Sequence, residues 1–128
     1  MATVADGFRY AERVVSGDIV AGELVRLACQ RFFHDLEHGP ERGVYFDEGR
    51  AQHVLDFYNF PHVKGHLTGK PIELMDWHTF ILINLFGFVV PLIDEITFES
   101  ILDDDGDPMF VRRFRTAYDE VARKNAKS

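Results

Sequence analysis

The first half of the chain places its apolar residues at helical spacing, and the second half breaks that pattern. Phe8, Ala11, Val14 and Val15 recur at intervals that predict a helix capped by Asp6 and closed by Gly17. Leu24, Leu27, Ala28 and Phe32 share one stripe, continued by Leu36. They predict a second helix over about residues 21–37, stopped by Gly39-Pro40. An extended piece from Val44 to Phe46 follows. Asp47 then caps a third helix with Ala51, Val54, Leu55 and Tyr58 facing inward and Pro61 at its end. A fourth helix is expected from Asp76 through Phe86, with Gly87 as its C-cap.

Outside these helices the pattern changes. "HVKGHLTGKPIEL" reads as a loop with a short extended segment at Ile72 to Leu74. Leu92 to Asp107 is irregular and acidic and ends in the turn "DDDGD". In "RRFRTAYDEVA", Phe114, Thr116 and Tyr118 alternate with Arg113, Arg115 and Ala117, which predicts a strand. The expected fold class is mainly α with a few short strands.

Composition places the chain among single globular domains: 128 residues, 46% hydrophobic and 27% charged, with twelve Phe to build aromatic clusters. The lone Cys29 excludes an internal disulfide framework and reads as a small buried apolar residue. The N-terminus "MATVADGFRYAERVVSGD" has no basic region followed by an apolar run, so no secretory signal is expected. "WHTFILINLFGFVVPLI" falls short of the roughly 20 residues a membrane span needs, and His78, Asn84, Gly87 and Pro91 interrupt it.

The net charge of −7 is uneven. Residues 1–108 hold 8 Lys/Arg against 19 Asp/Glu, and residues 109–128 hold 6 against 2. The positive charge lies at the C-terminal end, where an anion such as phosphate could bind; charge alone favours a solvated basic strand.

Two metal patterns fail on spacing. His34/His38 and His62/His66 are four apart, but H-E-x-x-H needs a Glu where Val63 stands. Taking Gly106 as the sixth position of an EF-hand loop puts Ile101 first and Arg112 twelfth, neither a suitable ligand. The terminal "RKNAKS" is closer to a phosphate loop. Laid on G-x-x-x-x-G-K-[ST], Val121 and Ala126 occupy the glycine positions, while Lys127 and Ser128 match.

The wider context of that loop resembles the N-terminal part of phage terminase large subunits. "RRFRTAYDEVARKNAKS" is similar to the approach to their Walker A loop, typically R-K-N-G-K-S. "SGDIVAGELVRLACQRFFHDLEHG" is similar to their N-terminal helical segment. "FDEGRAQHVLDFYNFPHVKGHLTGKPIELMDWHTFILINLFGF" is similar to the next block, with its K-G-x-x-x-G-x-P-I-x-L run and Trp-Gln helix. The resemblance covers most of residues 10–128 in order, and its specificity lies in the ensemble.

The resemblance implies a DNA-packaging motor ATPase with a C-terminal metal-dependent nuclease. It implies ATP and Mg²⁺ as ligands of the intact protein. The implied partners are viral double-stranded DNA, the terminase small subunit, the portal and a homo-oligomeric ring, with no membrane, in the host bacterial cytoplasm. Residues 1–90 would be the N-terminal helical segment of the ATPase, 91–108 an acidic linker or insertion, and 109–128 the first strand and Walker A loop of a truncated P-loop (RecA-like α/β) domain. Arg123, Lys124, Asn125, Ala126, Lys127 and Ser128 would hold phosphate, with Lys127 on the β/γ oxygens and Ser128 on Mg²⁺. Trp77 and His78 would take the adenine-linked Trp-Gln positions. His78 departs from the usual Gln and Ala126 from the usual Gly, which weakens base recognition and phosphate approach respectively. No Walker B carboxylate, catalytic Glu or nuclease acid is present, so the chain alone is expected to bind no nucleotide and perform no hydrolysis. The competing expectation is a small helical interaction module with a basic tail and no nucleotide chemistry. In the fragment reading, Ile81, Leu85, Phe114 and Tyr118 are expected to expose apolar surface, because the sheet they should cover is absent.

Overall fold

The computed structural model describes residues 2–59 and 74–117. Four helices, α1 (Val4–Val15), α2 (Glu23–His38), α3 (Glu48–Asn59) and α4 (Asp76–Gly87), pack beside a small sheet of β1 (Tyr45–Phe46), β2 (Phe88–Pro91) and β3 (Phe110–Arg112). The sheet order is β1-β2-β3, and both pairings are antiparallel. The chain is therefore mainly helical with a few short strands, as its periodicity predicts.

Apolar periodicity explains the packing of α1 against α4 and α2. Ala11 and Val14 are fully buried on one face of α1. Gly7 lies on the same face, where a Cβ would come within 2.5 Å of Ile83 Cδ1, so the two helices meet with no room for a side chain. The amide side chains of α3 hold the chain's start in place. Ala2 N–H donates to Asn59 Oδ1 at 3.1 Å, and Val4 N–H donates to Gln52 Oε1 at 3.1 Å. The second of these satisfies a backbone donor that the first turn of α1 leaves open.

Phe32 is the centre of the core. It is fully buried, and its ring centroid lies 5.2 Å from Phe8, 5.3 Å from Phe80 and 5.7 Å from Phe88, all edge-to-face. Edge-to-face contacts suit the ring quadrupole and add to the apolar area removed from water.

Several expectations need correction. Thr3, not Asp6, precedes α1. Asp6 occupies the third helical position and reaches back to accept from Thr3 N–H at 2.9 Å and Thr3 Oγ1 at 3.2 Å. An acid three residues inside the helix serves the same orphan donors as a cap in front of it. On α2 the expected stripe holds at Phe32, with Ala28 and Leu36 half-buried, but fails at its N-terminal end. Leu24 and Leu27 are exposed, while Cys29, Phe32 and Asp35 are buried. The inward face is set by α1, the 3₁₀ turn Gly39–Arg42 and β1, which together meet the C-terminal half of the helix. Leu74 belongs to no strand; Ile72 and Pro61 lie outside the described residues.

Gly87 is the last residue of α4, and Phe88 follows it directly into β2. Its φ is not positive, so it is no left-handed cap. It is glycine because the Phe46 ring fills the space a Cβ would need. The expected strand through Arg113 to Tyr118 lies elsewhere: β3 is Phe110–Arg112, and Arg113 to Ala117 leave the ladder. Arg113 N–H still donates to Phe88 O at 3.0 Å, but its side chain turns away to α2. Leu92 to Asp107 is more ordered than expected, with isolated bridges Ile93↔Ser100 and Leu102↔Pro108 returning the chain to β3. Ile81, Leu85 and Phe114 are half-buried rather than exposed, and Phe114 packs against the core; Tyr118 lies outside the described residues. Among the described residues, no helix is long and apolar enough to cross a membrane.

Candidate functional site

The only residues implied in nucleotide binding that fall in the described structure are Trp77 and His78. Arg123, Lys124, Asn125, Ala126, Lys127 and Ser128 lie outside it, as do His62 and His66. Trp77 and His78 occupy the first turn of α4, half-buried, with their rings stacked at 3.7 Å between centroids and 29° between planes. Met75 N–H donates to His78 Nδ1 at 3.2 Å. That bond has a chemical consequence. A nitrogen that accepts carries no hydrogen, so the neutral ring holds its hydrogen on Nε2. His78 therefore has a donor alone left to offer, whereas a glutamine amide at this position would offer a donor and an acceptor together.

A second arrangement lies at the other end of α4. Asp47, Gly49, Arg50, His53, Val54, Phe86 and Arg112 line an open groove of about 570 Å³ between α3, α4 and β3. The Arg50 Nη2 donates to Phe110 O at 3.2 Å, and its Nε lies 3.5 Å from Asp47 Oδ2. Asp47 also accepts from Arg50 N–H at 3.1 Å, which caps α3 as expected. The Arg112 guanidinium sits 4.9 Å from the centre of the Phe86 ring, a cation–π distance. Trp77 and Phe86 are nine residues apart on one helix, roughly 14 Å along its axis. The groove and the Trp77–His78 stack are thus separate places.

The third arrangement has a buried acid. Asp35 is 3% exposed and accepts from Arg42 Nη2 at 2.7 Å and from Arg113 Nη1 at 2.5 Å. Arg42 is half exposed, whereas Arg113 is mostly covered and also stacks over Phe114 at 5.0 Å. A buried carboxylate needs charge-assisted partners, and two guanidinium groups on opposite oxygens supply them. This cluster ties β3 and the segment after it to α2. Sequence periodicity missed it, although a lone Asp beside Phe32 and Leu36 on an apolar helix face was a usable signal.

The remaining titratable groups are simpler. Burial pushes the Cys29 thiol up to about 11, which makes it an inert core residue. His34 and His38 approach to 4.8 Å between ring centroids, and His38 lies 3.6 Å from Glu41. Among the described residues, no three His, Cys, Asp or Glu side chains converge to hold a metal ion. No family model, curated protein or solved structure matches the chain.

Proposed function

We propose that the chain is the N-terminal portion of a phage terminase large subunit. The intact protein would hydrolyse ATP to drive double-stranded viral DNA into procapsids and cut it with a C-terminal nuclease. The observation that carries this reading is the order of matching segments: a helical block, the K-G-x-x-x-G-x-P-I-x-L run, the Trp77-His78 helix start, and a basic approach to "RKNAKS". It is supported by α4 beginning with an aromatic stack. It is supported also by the basic run Arg112, Arg113 and Arg115 upstream of Arg123–Ser128 in the sequence.

In this reading the phosphate loop works by positioning and electrostatics. Lys127 neutralises the β/γ oxygens, and the Ser128 hydroxyl is one Mg²⁺ ligand. Arg123, Lys124 and Asn125 surround the phosphates. The Ala126 methyl takes space where a glycine would let phosphate approach the backbone. Trp77 offers a flat face to the base. His78 offers it one donor from Nε2, so discrimination between adenine and guanine is weaker than a glutamine would give. The matched segments contain no carboxylate for the Walker B role, and the 128-residue chain alone is expected to show no specific binding of labelled ATP and Mg²⁺.

The test is to read the coding sequence beyond Ser128 and express the extended polypeptide. A strand of four apolar residues followed by Asp-Glu is expected within roughly 100–150 residues, the span of one domain. DNA-stimulated ATP hydrolysis should then disappear with Lys127→Ala. Absence of that strand, or hydrolysis indifferent to Lys127→Ala, overturns the proposal.

A further inference from the structure

Between β2 and β3 the chain leaves the sheet, folds on itself and returns. Three backbone bonds close the base of this arm: Leu92 N–H to Met109 O at 2.7 Å, Ile101 N–H to Leu92 O at 2.8 Å and Met109 N–H to Ile101 O at 2.9 Å. Two aspartates shape its turns. Asp94 accepts from the backbone of Ile96 and Thr97, and Asp103 from that of Asp105 and Asp107. The arm is thus a bonded structure.

Its surface is unusual in two respects at once. Residues 91–108 contain seven Asp/Glu and no Lys/Arg, while the rest of the chain holds 14 of each, so the net charge of −7 resides in this arm. None of the seven carboxylates forms an ion pair with a described residue. Set among them are large apolar side chains in water: Ile96 is 88% exposed, Phe98 80% and Leu102 55%. Phe98 also has a φ of +59°, a conformation that a bulky side chain adopts only under strain. Backbone strain that holds an aromatic ring in solvent has no packing benefit among the described residues.

We propose that this arm docks a cationic segment of another protein, whose apolar side chains cover Ile96, Phe98 and Leu102 while its Lys and Arg pair with Glu95, Glu99 and Asp104. Charge complementarity selects that occupant. The phosphates of nucleic acid and anionic lipid headgroups are repelled by seven carboxylates that pair with no described base. A second copy cannot bring its own arm against this one for the same reason; its basic residues 109–128 make it the rival occupant that sedimentation distinguishes below. Apolar anchors inside a charged rim are the usual anatomy of a protein interface. The inference stands apart from the nucleotide reading, since no residue of the arm belongs to the phosphate loop.

The test is a random dodecapeptide display library selected on the 128-residue chain. The expected outcome is a consensus rich in Lys and Arg with interspersed aliphatic or aromatic residues. Synthetic consensus peptide should lose at least about tenfold in affinity for the double variant Ile96→Ser/Phe98→Ser, and a similar amount for Glu95→Gln/Glu99→Gln/Asp104→Asn. The first variant changes only exposed side chains, and an unchanged melting temperature confirms that its fold is intact. A consensus without cationic residues, or binding indifferent to Ile96→Ser/Phe98→Ser, overturns the proposal. So does a peptide in which Ser replaces every apolar residue without loss, because charge alone would then account for binding. Self-association in sedimentation that Ile96→Ser/Phe98→Ser abolishes overturns it in favour of a second copy.

Discussion

Asp35 on α2 and Arg113 just after β3 lie 78 residues apart in the chain and 2.5 Å apart in space. The acid is almost wholly buried and the base largely so. Their bond fixes where the chain goes once it leaves the sheet.

Replacing Asp35 with Ala should destabilise the fold by about 3 kcal/mol, because Arg113 is left as a mostly buried charge without its acid. Arg42→Ala should cost about 1 kcal/mol or less, since that guanidinium is half exposed and screened by water. Urea unfolding followed by circular dichroism measures both. Equal losses would mean that the exposed Arg42, rather than the covered Arg113, is the partner that matters to Asp35.

The inward face of α2 can be checked by a pair of substitutions. Phe32→Ala removes the ring that joins Phe8, Phe80 and Phe88 and should cost about 3–5 kcal/mol. Leu24→Ser changes a side chain that is 78% exposed and should leave stability within about 0.5 kcal/mol. The same unfolding measurement separates them.

Gly87→Ala should destabilise by about 1–3 kcal/mol, because the new methyl meets the Phe46 ring and forces it from its place beside Phe88. Pairing it with Phe46→Leu should recover part of the loss, and a double-mutant cycle reads that coupling.

The Asp6 carboxyl is held below its ordinary value of 3.8, chiefly by the Thr3 backbone N–H; burial opposes this, and the Thr3 hydroxyl and Arg9 add smaller lowering effects. A lowered folded-state value means that the contribution is present above 3.8 and is lost as pH falls through the lower folded value. The thermal midpoint of the native chain should therefore fall more steeply below about pH 4 than that of Asp6→Asn. Parallel curves would show that Asp6 plays no part.

Cys29 is fully buried, and its thiol is raised to about 11. A thiol reagent at pH 8 should leave it unmodified in the folded chain and label it completely in urea. Fast labelling of the native protein would place Cys29 in reach of solvent.

Much of the architecture was legible because helical order is local. The spacing of Ala11 and Val14, or of Ala51 and Leu55, marks a buried face before any partner is known. Asp47 announces α3 because capping involves only neighbours in sequence. The candidate sites were less legible. Trp77-His78 stood out by resemblance, yet the accepting role of His78 Nδ1 depends on how Met75 enters α4. The groove at Arg50, His53 and Arg112 joins α3 to β3, and no spacing rule links residues so far apart.

Helix positions, the aromatic-rich core composition and the acidic character of residues 91–108 were determined by the sequence alone, since each depends on residue types at short range. Tertiary structure decided which face of α2 turns inward, where β3 pairs, why residue 87 is glycine and which bases neutralise Asp35. Those outcomes depend on non-local contacts: a ring, a strand edge or a guanidinium brought close by the fold from dozens of residues away.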